Sequence, residues 1–294
     1  MKDQTKGALL IMAAGFLWGT AGIVVKVIYS DTTVAPISLA LYRLIFAIPL
    51  LTLFAVLKGY KFSLTRREVV LFAGFGFCSL TVFETLYFTS FAYTTVQHAT
   101  ALLYTAPAFV ALFSWLLLGE HFTRTKLVAV CLSILGAFLI VGFVRGGPLF
   151  ATRTQIGDWL AIGSGVAYSS WYIFGKILGK GREPAVTSVL AMCFGAIFLL
   201  PLTIITGNMR APNGPLAWGL VAEIGIVPTA GAYFLYFGGL RFVDATKASI
   251  FAIMEPVSAS LLAFLFLQEI PSYDSFVGFM LIISSILLIS RARS

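Results

Sequence analysis

Polar residues interrupt this chain only at long intervals. Between clusters of Lys, Arg, Pro, Gly and Asn it runs apolar over residues 7–28, 36–57, 69–91, 96–118 and 124–144, and again over 156–178, 185–206, 217–240, 246–268 and 273–290. A helix needs roughly 20 mostly apolar residues to cross a bilayer. The runs are continuous rather than alternating, which argues for helices over a transmembrane barrel. The pattern predicts an all-α integral membrane protein of ten transmembrane helices.

Composition excludes the soluble alternatives. Hydrophobic residues make up 59% of the 294 and charged residues 11%, where soluble domains carry about 25% charged. A disordered chain, a disulfide scaffold and an extracellular globule are ruled out. The net charge of +8 comes from 20 Lys and Arg scattered in small groups; with no basic stripe or recognition motif, no nucleic-acid partner is expected. Cys78, Cys131 and Cys193 lie far apart inside apolar runs, as buried thiols do, rather than as bridges or metal ligands. The first run is longer than a signal h-region and has no A-x-A cleavage pattern, so it is expected to persist in the mature protein.

The scattered basic residues act as topology signals. With a cytoplasmic N-terminus, the inside segments collect Lys2, Lys6, Lys58, Lys61, Arg66, Arg67, Arg124, Lys126, Lys180, Arg182, Arg241, Lys247, Arg291 and Arg293, and the outside segments only Arg145, Arg153 and Arg210. The positive-inside rule then places both termini in the cytoplasm; a cell inner membrane is the expected location.

The chain also repeats itself. A shift of 150 pairs Gly7 with Gly157, Gly15 with Gly165 and Lys26 with Lys176; a shift of 149 pairs Tyr87 with Tyr236, Pro107 with Pro256 and Glu120 with Glu269. Collinear Lys, Pro and Glu matches are not expected from apolar bias alone. Two units follow, 1–150 and 151–294. Each holds five spans, so the second enters the membrane from the opposite side. Such inverted halves suit alternating access; a purely structural duplication is the other reading.

Certain residues resemble a known family. Gly15-Phe16-Leu17-Trp18-Gly19-Thr20 with Lys26 beyond it, Arg43 in the second span, Tyr104-Thr105-Ala106-Pro107 closing with Gly119-Glu120, and Glu255-Pro256 closing with Gln268-Glu269 are similar to the patterns of the drug/metabolite transporter superfamily, and within it of the EamA family of ten-helix permeases. The second unit departs: Gln268 stands where the first has Gly119, and it lacks the Trp-Gly pair and a partner for Arg43. The resemblance implies a secondary transporter, commonly an exporter of amino acids or other small metabolites.

Ionisable groups inside a bilayer face the bundle interior or water and are functional candidates by default. Arg43 would clamp a carboxylate bidentately or tie helices together. Glu84 stands with Tyr87, Phe88 and Phe91 on one helical face, suited to an amine or a proton; pairing with Arg43 accounts for it equally. Glu255 precedes Pro256, and Pro107 holds the matching position. Paired mid-helix prolines free carbonyls at membrane depth and point to a transporter's binding region, or to simple packing kinks. Trp18, Tyr104, Tyr168, Trp171, Tyr172, Tyr233 and Tyr236 would supply aromatic walls for an amphipathic or cationic ligand, or meet lipid. His98, near the outer start of span four, is either a proton sensor or a solvated interface residue. Glu223 lies nearer a helix end, and Glu120 and Glu269 are placed to cap helices or pair with loop cations.

No H-E-x-x-H, G-x-S-x-G or phosphate-cradling glycine loop occurs, so neither a catalytic residue, a cofactor nor a metal site is predicted. The chain reads as a monomer or weak homodimer in a lipid bilayer that exports a small molecule, neutral or aromatic amino acids foremost, by alternating access. A membrane-embedded enzyme and a channel-like facilitator are the alternatives.

Overall fold

The computed structural model describes residues 2–31, 34–90, 92–94, 96–141, 150, 154–268 and 270–291. Among them every regular element is helical: α1 (Lys2–Asp31), α2 (Pro36–Leu57), α3 (Arg66–Gly74), α4 (Phe83–Ser90), α5 (Val96–Leu103), α6 (Ala106–Leu118), α7 (Arg124–Ile140), α8 (Gln155–Leu178), α9 (Pro184–Ile205), α10 (Gly214–Ile224), α11 (Ala232–Leu240), α12 (Ala245–Ala252), α13 (Met254–Leu267) and α14 (Tyr273–Arg291). Two π-helical stretches, Phe75–Val82 and Gly225–Gly231, join α3 to α4 and α10 to α11. Breaks at Tyr104–Thr105 and at Ile253 separate α5 from α6 and α12 from α13.

Local chemistry sets these boundaries. Proline opens α2, α6, α9 and α10, where its missing N–H has no helical partner to lose. Thr65 and Glu68 form a reciprocal capping box at the start of α3. Gly119 and Gln268 end α6 and α13 in the left-handed conformation, with φ of 69° and 55°. Glycine adopts it freely; Gln268 does so against the preference of its side chain.

Among the described residues, seven helical runs have the length and apolarity to cross a membrane: Pro36–Leu57, Arg66–Ser90, His98–Leu118, Pro184–Ile205, Gly214–Leu240, Ala245–Phe266 and Tyr273–Arg291. They leave Leu57, Leu117, Ile205 and Phe266 at least two-thirds exposed, a surface suited to lipid and not to water. α1, α7 and α8 fall outside that set. α7 has 17 residues. α8 has 24, but Asp158, Ser164, Ser169, Ser170, Tyr168, Tyr172 and Lys176 lower its apolarity. Its polar face turns inward: Asp158, Ser164, Ser169 and Tyr172 are buried.

All three cysteines are free. Cys78 and Cys193 are partly buried, but Cys131 is exposed on α7, contrary to the expectation of a buried thiol. A face turned to lipid needs no protein cover, because lipid tails are as apolar as the core.

Contacts come in matched pairs. α1 packs on α11, α12 and α13, as α8 packs on α4, α5 and α6; α2 lies against α9, and α7 against α14. Gly76 sits on the backbone of Phe194 as Gly225 sits on that of Arg43. Gly136 and Gly278 face each other so closely that a Cβ on either would lie 2.6–2.7 Å from the other's carbonyl oxygen.

The bundle end where α1 starts, the near end, is tied by charged contacts. Lys176 Nζ donates to the carbonyls of Leu240 at 2.8 Å and Val243 at 2.5 Å. Glu120 accepts from the Ala245 N–H at 2.6 Å and the Thr246 hydroxyl at 2.9 Å, and Lys126 lies 3.5 Å from Glu120 and 3.3 Å from Asp244. Arg182 pairs with Glu68 and donates to the Ser63 carbonyl, while Arg241 reaches the Arg182 carbonyl and Glu183.

Candidate functional site: a central cavity

A cavity of about 220 Å³ lies within the bundle. Nine residues singled out from the sequence line it: Trp18 of α1, Arg43 of α2, Glu84 and Tyr87 of α4, Tyr104 at the α5–α6 break, Tyr168 and Trp171 of α8, Tyr233 of α11 and Glu255 of α13. Phe88, placed beside Glu84 by its helical spacing, lines it as a tenth; sequence reasoning missed Ser79, Leu80 and Pro228, which the two π-helical stretches deliver, and Phe83 and Ile224 beside them. A π turn widens a helix locally and often marks a functional site. Thr81 and Thr229 each return a hydroxyl to a carbonyl five residues back, Gly76 at 3.1 Å and Ile224 at 2.8 Å.

The cavity wall carries one basic and two acidic side chains, Arg43, Glu84 and Glu255. Arg43 Nη2 donates to Glu84 Oε1 at 2.5 Å, which compensates two charges that would each be costly alone at this depth. Arg43 Nε is buried and has no hydrogen-bond partner among the described residues. Glu255 stands in the first turn of α13, where the helix dipole favours an anion. No hydrogen bond to its carboxylate, and no ion pair, is made within the described part of the chain.

Aromatic rings close the cavity toward the near end. Trp171 is the centre of the layer, with Tyr233 at 4.6 Å, Phe75 at 4.8 Å, Tyr236 at 5.7 Å and Phe237 at 5.8 Å between ring centroids. Tyr236 contacts Trp18 and Tyr172 in the same layer. Tyr172 and Tyr236 therefore sit behind Trp171, outside the cavity lining. On the opposite side, Glu84 and Phe88 also line a second hollow of about 240 Å³ that reaches Pro36, Thr206 and Asn208 at the far end.

Pro107 and Pro256 do not line the cavity either; they lie just after the breaks in α5–α6 and α12–α13. An unbroken helix would need an N–H at each of these positions to bond the carbonyl four residues earlier, that of Leu103 or Ala252, and proline has none. Glycines on the facing helices approach those carbonyls: a Cβ on Gly165 would stand 3.3 Å from the Leu103 oxygen, and one on Gly15 2.8 Å from that of Ala252.

His98 is fully buried outside the cavity, its Nδ1 3.4 Å from Asp158 Oδ1, and so is no solvated interface residue. Asp158, which sequence reasoning passed over, organises this corner. It accepts from the Thr94 hydroxyl at 2.6 Å, the Phe150 N–H at 2.7 Å and the Thr154 hydroxyl at 3.1 Å. Glu223 is partly buried on α10, with Oε2 unpartnered among the described residues. Glu269, Phe91, Arg145 and Arg153 lie outside the described residues. Among the described residues, no group of three His, Cys, Asp or Glu could hold a metal ion.

Comparison with known proteins agrees with this arrangement. The sequence pattern of the EamA-like transporter family matches residues 5–142 and again residues 155–291. The chain is 27% identical to the uncharacterized inner membrane transporter YicL of Salmonella typhimurium over the whole of both chains. It is 26% identical to the uncharacterized transporter YwfM of Bacillus subtilis, across 97% of this chain and 94% of that one. A crystal structure 20% identical in sequence superposes with a TM-score of 0.83 over 97% of this chain and 96% of its own, a likeness of fold. The chain belongs to the EamA-like transporter family, as a multi-pass helical membrane transporter.

Proposed function

We propose that the protein is a secondary exporter of small metabolites, amino acids with neutral or aromatic side chains foremost, and that it works by alternating access. The observation that carries this reading is the one-sided cavity. Its polar wall continues past Glu84 and Phe88 toward the far end, while the Trp171 aromatic layer and the Glu120, Lys126, Arg182 and Arg241 contacts close the near end. A channel-like facilitator would want both ends open at once; a carrier holds one shut.

The proposed topology is ten spans in two inverted five-helix units, residues 1–150 and 151–294. The matched packing of α1 and α8, and of Gly76 and Gly225, supports it, because units related by a two-fold axis in the membrane plane make each contact twice. The basic residues gathered at the near end favour placing that end, with both termini, in the cytoplasm. The inner membrane is the matching compartment, in keeping with the name of the Salmonella relative.

Proteoliposomes preloaded with a panel of amino acids test this function. Saturable efflux of at least one, accelerated by unlabelled substrate on the opposite side, is the expected result. Flux that stays linear with concentration for every compound would count against a carrier of this class.

A further inference from the structure

The formal charges on the cavity wall do not cancel. Its charged residues are Arg43, Glu84 and Glu255. Arg43 is already bonded to Glu84 at 2.5 Å, so the group best suited to clamp a substrate carboxylate holds one supplied by the protein. Glu255 remains, without a hydrogen bond or ion pair among the described residues. The dipole of α13 supplies about half a positive charge beside it, which makes the carboxylate tolerable there without neutralising it.

We infer that the cavity is a cation site, that Glu255 is its counter-charge, and that a small amine of one net positive charge is preferred over the zwitterionic amino acid with the same side chain. This rests on the transporter reading above and, within small metabolites, moves the preferred substrate from the amino acid to the amine that lacks its carboxylate. The surroundings of Glu255 fit an ammonium group. Tyr87, Tyr104 and Tyr168 line the same cavity, and Trp18 contributes another π surface to the wall. Such rings attract a cation through their quadrupole and offer hydroxyl acceptors besides. A zwitterion would bring its carboxylate into a cavity whose formal charges already sum to minus one, and would have to displace Glu84 from Arg43 to find a partner. The volume of about 220 Å³ lies below the roughly 300–1,000 Å³ of drug-sized pockets, as a small amine requires.

The test uses matched pairs that differ only in the carboxylate: phenylalanine with phenethylamine, tryptophan with tryptamine, leucine with isoamylamine. Each is titrated into the purified full-length protein in detergent by calorimetry. At least one amine is expected to bind about tenfold or more tightly than its parent acid, a margin typical of a charge-assisted contact, and Glu255→Gln is expected to erase that margin. Equal or tighter binding of the acid in every pair overturns the proposal, as does the absence of binding by any amine. Should Glu255→Gln not fold, Glu255→Asp replaces it, and must retain the preference for the amine. Amine binding without flux in proteoliposomes would instead fail the transporter reading and leave the cation site standing.

Discussion

Arg43→Ala is expected to abolish flux and to destabilise the protein by about 3–5 kcal/mol, the usual effect of removing one partner of a buried ion pair. The cause is the residue left behind. Glu84 is almost wholly buried and would lose the guanidinium that compensates it at 2.5 Å. Thermal melting in detergent reads the stability and proteoliposome efflux the function. The double variant Arg43→Ala/Glu84→Ala separates the two roles: it removes both charges, so most of the stability should return while transport does not. If the double variant also transports normally, the pair is a structural tie between α2 and α4 and no part of the route.

Asp158→Ala is expected to produce the second large effect, at the other end of the bundle. Asp158 is fully buried and accepts from Thr94, Phe150 and Thr154, with His98 3.4 Å away. It staples the start of α8 to the link between α4 and α5, and its position in the first turn of α8 lets it complement the helix dipole. Removing it leaves several donors unsatisfied, at about 1–3 kcal/mol for each that stays buried, so a loss of about 3 kcal/mol or more is expected in chemical denaturation. Asp158→Asn keeps a carbonyl acceptor for Thr94 and should lose less. Equal stability of the wild type and Asp158→Ala would mean the cluster contributes nothing to holding the far end.

The ion pair and most of the aromatic wall were legible in the sequence because the bilayer leaves charged side chains few places to go. Arg43, Glu84 and Glu255 had to face inward, and all three line the cavity. The sequence offered Trp171 and Tyr172 from one span and Tyr233 and Tyr236 from another as wall residues, but not their packing together or their order in depth. Trp171 fills the inner wall and holds Tyr172 and Tyr236 behind it. The π-helical stretches left no trace in the periodicity, so Ser79 and Pro228 were missed. Asp158 was passed over because its partner Thr94 is 64 residues away. The polarity that makes α8 central to the cavity also takes it out of the set of strongly apolar helices.

The inverted relation between the two halves is the claim on which the transport cycle depends, and sidedness labelling tests it most directly. Lys6 and Gln155 are exposed positions at the starts of the first and second units. Lys6→Cys and Gln155→Cys, each made after Cys78, Cys131 and Cys193 are replaced by serine, would be treated with a membrane-impermeant maleimide in intact and permeabilised cells. The account predicts that Gln155→Cys reacts in intact cells and Lys6→Cys only after permeabilisation. Labelling of both from one face of the membrane would contradict it.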